Sequence, residues 1–223
     1  MSAFLAPIHY WLYNKIRHVI NREHLLYEKA EAECGTLAEE LREQIWQSYG
    51  SPLLEKDLAE LIDLSNIHGW LQRQINTAET REAAFINELI SSCGDAGQAL
   101  VSSVFQAHGI TCGRLAQEQG AYDSSRADSI YKAVNDFYLN GMPCDQADMV
   151  IASLPEKVVW EGKNCLQEPN WKRAGADISL LKEFYRTWLA SFVAAMNPNY
   201  RYQQTEDHSK GELIIRHEIV RSK

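Results

Sequence analysis

Apolar side chains recur at steps of three and four residues along most of the first 140 positions, a spacing that places them on one face of an α-helix. In residues 4–33 this stripe consists of Ile8, Trp11, Leu12, Ile16, Val19 and Ile20. Glycine and proline divide the pattern, because glycine commonly ends a helix and proline is tolerated in a first turn. The predicted helices are 4–33, 37–49, 51–65, 67–75, 78–92, 98–108 and 127–139. Residues 1–140 are therefore predicted to form a helical bundle.

The pattern changes in the last third of the chain. A short helix is predicted over 146–153, and the β-branched and aromatic run Val158-Val159-Trp160 predicts a strand. The amphipathic helix 180–196 is expected to end at Asn197-Pro198, because proline disfavours a helical residue before it. Two further strands, joined by a polar hairpin connection, are predicted at Tyr200–Gln204 and Glu212–Val220.

These elements predict an α+β fold. It consists of a predominantly helical N-terminal bundle, followed by a small antiparallel sheet with an amphipathic helix. The predicted division is a bundle over 1–140 and an α+β segment over 141–223, and we expect the two parts to pack as one unit.

Charge and composition exclude several classes of protein. The formal net charge is −8, which argues against nucleic acid as a partner, because nucleic-acid binding needs a clustered basic surface. A basic group of four side chains is interpreted as a solvated helix face: Lys15, Arg17, His18 and Arg22. The chain contains no run of 18 or more apolar residues, so no membrane-spanning helix and no membrane partner are expected.

The five cysteines indicate a reducing compartment. They are odd in number and widely spaced, no secretion signal precedes them, and no CxxC pair is present, so a cytoplasmic location with free thiols is predicted. Cys34, Cys93 and Cys112 have only local helix-end contexts and are interpreted as structural.

Cys144 and Cys165 are the candidate catalytic thiols. Cys144 would sit at the start of the predicted helix 146–153, where backbone N–H groups and the helix dipole favour thiolate, although Asp145 opposes it. Cys165 follows the predicted strand, where a residue is well placed to line a pocket. His208 and His217 are the candidate bases. The alternative for each thiol is a small buried packing group.

The aromatic residues of this region could form a flat ligand pocket. Trp160, Trp171, Tyr185 and Trp188 are the candidate ligand-binding residues, and ordinary core packing is the alternative. The seven histidines include no HxxxH or HExxH pattern, so no metal site and no cofactor are predicted. A metal protein stays open as a third hypothesis, since His208 and His217 could meet ligands from elsewhere in the chain.

The order of features in the last third resembles the amino-thiazoline-carboxylate hydrolase-like family of small bacterial proteins. The resemblance covers roughly residues 142–220 and rests on Cys165, Asn197-Pro198 and Gly211-Glu212. It implies a small-molecule hydrolase and adds Asn197 to the candidate ligand-binding residues. The cysteines that this family carries in the late helix and the final strand are absent, because Tyr185 or Trp188 and Ile215 stand there.

Two functions follow as hypotheses. The first is a cytoplasmic protein that binds a small organic molecule between the helical part and the C-terminal sheet and hydrolyses a C–N bond in it by cysteine chemistry. The second is a non-enzymatic oligomeric sensor or assembly protein, suggested by the apolar first helix. A homo-oligomer is expected in either case. Enzymatic activity is left open.

Overall fold

A computed structural model describes residues 4–162, 165–207 and 214–222. It confirms the α+β fold class. The α-helices are α1 (Pro7–Cys34), α2 (Thr36–Tyr49), α3 (Leu58–Leu61), α4 (Ile67–Glu118), α5 (Ala127–Phe137), α6 (Glu168–Arg173) and α7 (Ile178–Met196). The strands are β1 (Asp148–Ser153), β2 (Lys157–Gly162), β3 (Tyr200–Asp207) and β4 (Ile214–Arg221). None of the described helices is long and apolar enough to cross a membrane.

The chain divides into two compact units. The first unit contains Met1–Val104 and Gln167–Leu181, and the second contains Phe105–Leu166 and Lys182–Lys223. Two of the three boundaries fall within the helices α4 and α7, so each of these helices contributes residues to both units. The third boundary lies between Leu166 and Gln167, just before α6.

The first unit is helical and holds charged side chains in its interior. Arg22 of α1 makes a bidentate pair with Glu82 of α4, with both N–O distances at 2.8 Å. Glu23 of α1 pairs in the same way with Arg81 of α4, at 2.6 and 2.7 Å. All four side chains are at most 3% exposed. Neighbouring positions on the two helices thus form two crosswise ion pairs.

The predicted solvated basic face on the first helix is wrong. Arg22 is buried against Glu82, and the Lys15 side chain is 2% exposed with its ammonium group 4.0 Å from the centre of the Trp11 ring. The charge pattern of α1 alone could not reveal this, because the balancing carboxylate lies 60 positions away.

The predicted helix over 51–65 is also wrong for most of its length, since only Leu58–Leu61 is helical. Side chains of α1 bind the backbone carbonyls that a helix would use. Arg17 donates to the Leu54 carbonyl at 3.1 Å, and the Tyr13 hydroxyl donates to the Lys56 carbonyl at 3.1 Å. Asp57 then caps α3 by accepting from the Ala59 N–H at 2.8 Å.

The three helices predicted over 67–75, 78–92 and 98–108 fall within α4, which consists of two helical segments joined at a kink. The kink is at Gly94, with the non-helical angles φ +55° and ψ −135°, so it coincides with the helix end predicted at Cys93-Gly94. Gly109, the predicted stop, lies inside the helix in the second unit. A Cβ there would lie 2.5 Å from the Trp188 carbonyl oxygen of α7, so the glycine permits a close helix–helix approach.

The second unit contains a fully antiparallel sheet in the order β1-β2-β4-β3. The strands β2, β3 and β4 confirm the predicted strands. The predicted helix over 146–153 is wrong, because residues 148–153 form β1 on the edge of the sheet. Gln146 adopts the left-handed conformation, with φ +48° and ψ +48°, and therefore interrupts a helix at this position. The β-branched Val150 and Ile151 favour an extended chain.

Candidate functional site

An aromatic and imidazole cluster lies on the face of the sheet against which α5 packs. Trp160 of β2, His217 of β4 and Tyr202 of β3 form this cluster, which we call the sheet cluster. Trp160 and His217 are direct register partners, and their rings stack at 5.2 Å with an interplanar angle of 8°. The Tyr202 hydroxyl lies 2.6 Å from Nδ1 of His217, and Tyr131 of α5 packs 4.8 Å from Trp160.

The surroundings of the sheet cluster keep its two titratable groups neutral. Burial, and then the positive charge of Arg186, lower the pKa of His217 to about 4. Burial raises the pKa of Tyr202, with a further contribution from the Asp148 carboxylate. At neutral pH a neutral imidazole therefore shares a short hydrogen bond with an uncharged phenol. Such a pair can donate or accept hydrogen bonds but carries no charge.

A cavity of about 630 Å³ opens beside the start of β1, and we call it the edge cavity. It combines apolar and carboxylate-bearing walls. Its lining residues are Pro143, Asp145, Gln146, Ala147, Asp148, Met149, Glu161, Leu166 and Ile214. All of these belong to the second unit. The volume is in the range of small-molecule sites.

Local contacts hold the three carboxylates of the edge cavity in place. Asp145 accepts a hydrogen bond from the Met142 N–H at 2.7 Å, which stabilises the 3₁₀ turn Pro143–Asp145. Glu161 accepts from Arg216 of β4 at 2.7 Å. A carboxylate has about four lone-pair sites, so one hydrogen bond does not exhaust its capacity as an acceptor.

Asp148 connects the edge cavity with the sheet cluster. Its Oδ2 accepts from the Asn140 amide at 3.1 Å, and it is one of the cavity-lining residues. Its negative charge also helps to raise the pKa of Tyr202 and the pKa of Tyr131, the latter to about 12, where burial is the main cause. A ligand in the edge cavity that bound Asp148 would therefore change the electrostatic field at the sheet cluster.

The two predicted catalytic thiols flank residues of the edge cavity in sequence. Cys144 is exposed and lies between Pro143 and Asp145, and Cys165 is half-buried and precedes Leu166. The helix N-terminus predicted beside Cys144 is absent, because β1 replaces the predicted helix 146–153. Among the described lining residues there is neither a cysteine nor a histidine. His208 lies outside the described residues, as does Gly211-Glu212.

The other predicted ligand-binding residues are buried or hydrogen-bonded inside their own units. Trp171 is buried in the first unit. In the second unit, Trp188 donates from Nε1 to Nδ1 of His108 at 2.8 Å, and Tyr185 is buried. The Asn197 amide donates to the Ser124 carbonyl at 2.7 Å. The ligand-binding role of these four residues stays a prediction. The fifth predicted residue, Trp160, belongs to the sheet cluster.

Sequence reasoning missed several residues of this region. Tyr202, Asp148 and Arg186 gave no motif, because their association depends on strand register and on helix packing. The one available signal was the period-two alternation of β3, which places Tyr202 and Gln204 on the same face. The sequence also contains His108 and Cys112 one helical turn apart, and both are buried with Sγ 3.7 Å from Nε2.

No protein-family model matches the chain, and neither the curated proteins nor the solved structures include a significantly similar one. The resemblance to the amino-thiazoline-carboxylate hydrolase-like family thus stays a prediction.

Proposed function

We propose that the second unit binds a small organic molecule in the edge cavity. The observation that carries this proposal is the cavity itself, at about 630 Å³, with three carboxylates set among apolar side chains. Carboxylates are acceptor groups, and Met149, Leu166 and Ile214 offer apolar contact. This combination favours a compact ligand that carries an amine or amidine group on a hydrocarbon or heterocyclic frame.

Ligand-observed NMR with amine-bearing and amidine-bearing heterocyclic fragments tests the binding proposal. 2-Aminothiazoline-4-carboxylate belongs among these probes, because the family resemblance implies this substrate class. We expect Asp148→Asn and a cavity-filling Leu166→Trp variant to lose the binding of any fragment hit. Asp95→Asn, which changes an exposed carboxylate of the first unit, is the matched control and should bind as the wild type does. Hits that bind all of these variants equally would contradict the proposal.

The catalytic part of the proposal is hydrolysis of a C–N bond with Cys144 or Cys165 as nucleophile. The thiolate would attack the carbon, the amine would leave with a proton, and water would then release the acyl or amidino group and restore the thiol. Support comes from the position of both thiols next to cavity-lining residues. His217, with its pKa near 4, is a weak base at neutral pH, so His208 remains the other candidate base.

Mass spectrometry of 2-aminothiazoline-4-carboxylate incubated with the protein tests this step. Hydrolysis of the ring C–N bond adds one water to the ligand, and hydrolysis of the exocyclic C–N bond replaces the amine by oxygen with release of ammonia. We expect the product from the wild type and from the control Cys93→Ser, and none from the variant that removes the nucleophile, Cys144→Ser or Cys165→Ser. Turnover that persists in the double variant would exclude thiol catalysis while leaving the binding proposal intact.

Self-assembly is the second candidate function, and it is motivated by the edge strand β1. Met149, Val150 and Ile151 are between 44% and 60% exposed, and an apolar edge strand is a template for pairing with another chain. Size-exclusion chromatography with light scattering should show an oligomer that Ile151→Lys dissociates. A monomer at micromolar concentration would contradict this function.

A further inference from the structure

Two thiols meet in the first unit, far from the edge cavity in sequence. Cys34 is the last residue of α1, and Cys93 immediately precedes the kink of α4 at Gly94. Their Sγ atoms are 3.5 Å apart, although the residues are 59 positions apart in the chain. They are the two cysteines of this unit, and both are half-buried, so a small oxidant can reach them.

The backbone next to each thiol has room to move. A disulfide needs its sulfurs about 2.05 Å apart, so the two Sγ atoms must approach by about 1.5 Å. Gly35 and Gly94 follow the two cysteines, and apart from the local backbone no heavy atom lies within 4 Å of the Cβ position of either glycine. Rotation of the cysteine side chains, with a small shift of these open turns, can supply the approach.

We propose that Cys34 and Cys93 form a thiol–disulfide modification site whose co-reactant is a low-molecular-weight disulfide of the glutathione type. One cysteine thiolate attacks a sulfur of the oxidant, which forms a mixed disulfide and releases one reduced thiol. The second cysteine loses its proton and attacks the protein-side sulfur, which forms the intramolecular disulfide and releases the second thiol. Two protein thiols lose two electrons, and one oxidant molecule becomes two thiols.

The electrostatics of the site are consistent with a reduced resting state. Burial, the hydrogen bond with Cys93 and the nearby Glu33 carboxylate raise the pKa of the Cys34 thiol. A thiol that resists ionisation reacts slowly with oxidants, so the site requires an appreciable concentration of the disulfide co-reactant. The bond would link the end of α1 to the kink of α4 and close a loop that contains α2, α3 and the first part of α4.

The test is oxidation of the full chain with excess oxidised glutathione, followed by N-ethylmaleimide blocking and peptide mass spectrometry. We expect a monomeric product on a non-reducing gel that contains a peptide pair joined through Cys34 and Cys93. We also expect its thermal midpoint to rise by about 5 °C or more, because the cross-link restricts the unfolded chain. Dithiothreitol should reverse the rise.

Matched variants separate this pair from the exposed thiol. Cys34→Ser and Cys93→Ser should each lose the joined peptides and the rise in midpoint, while Cys144→Ser should retain both. Circular dichroism checks that each serine variant folds, and Cys34→Ala and Cys93→Ala replace any that does not. Maleimide on both cysteines of the oxidised wild type, or glutathione left on either of them, would overturn the proposal. These readouts are independent of ligand binding at the edge cavity.

Discussion

The buried carboxyl group of Glu79 gives the sharpest quantitative prediction. Glu79 of α4 is fully buried in the first unit, and its Oε2 accepts a hydrogen bond of 2.6 Å from the Asn170 amide of α6. Burial raises the pKa of this carboxyl to about 8, although the Asn170 hydrogen bond and the charge of Arg22 oppose the rise. Glu79 is therefore largely protonated in the native protein at neutral pH.

The effect on stability follows from the direction of this pKa change. The native state binds the proton more tightly than the unfolded chain, where the carboxyl has its ordinary pKa of 4.5. The stabilising contribution is therefore complete below pH 4.5, falls as the pH rises, and is lost above about 8. At about 1.4 kcal/mol per pH unit, the whole window corresponds to an order of about 5 kcal/mol.

The Glu79→Gln variant isolates this contribution, because glutamine has the same shape, carries no charge and can still accept from Asn170. Urea unfolding of both proteins is measured from pH 5 to pH 9. We expect the free energy of unfolding of the wild type, relative to the variant, to fall by about 3–4 kcal/mol between pH 5 and pH 8. Histidines with lowered pKa values, such as His18 and His217, titrate in both proteins and cancel in the difference. Parallel stability curves across this range would refute the reasoning.

Three further substitutions test other contacts. Gly109→Ala should lower the free energy of unfolding, measured by urea unfolding, by about 1–3 kcal/mol, because the new methyl group meets a backbone carbonyl of α7. An unchanged value would mean that the two helices can separate at this point. Arg22→Met should lower the free energy of unfolding by about 3–5 kcal/mol, because it leaves the Glu82 carboxylate buried without its cation. Adding Glu82→Met should restore much of this loss, and a double-mutant cycle measures the difference. Arg186→Gln should move the pKa of His217 upward from about 4, as followed by NMR of its ring protons, and an unmoved titration would leave burial as the whole cause.

Local sequence patterns predicted the fold where contacts within one segment decide the structure. The stripe of α1, the amphipathic α7 and the strands β2, β3 and β4 are of this kind. The patterns failed where distant groups decide. The sequence of residues 51–65 predicts a helix, but side chains of α1 donate hydrogen bonds to the carbonyls of Leu54 and Lys56 that a helix would use. Gly109 looks like a helix stop, but it is a contact point with α7.

The candidate site was predictable only in part for the same reason. Trp160 and His217 were each candidates, but they are 57 positions apart, and only strand register makes them neighbours. Tyr202 carried no local signal of its hydrogen bond to His217. The prediction for Cys144 depends on a helix that does not form. A short apolar run such as residues 149–152 has no periodicity that separates helix from strand.

The crosswise ion pairs between α1 and α4 have an evolutionary consequence. Replacing any one of Arg22, Glu23, Arg81 or Glu82 leaves a buried charge without its ion-pair partner, so a single change at these positions lowers the stability of the fold. Exchanging both members of a pair preserves neutrality. Related sequences should therefore vary at positions 22 and 82 together, and at 23 and 81 together, while neutral drift at one position alone is suppressed. Covariation at these four positions would be a signature by which remote relatives of this chain can be identified.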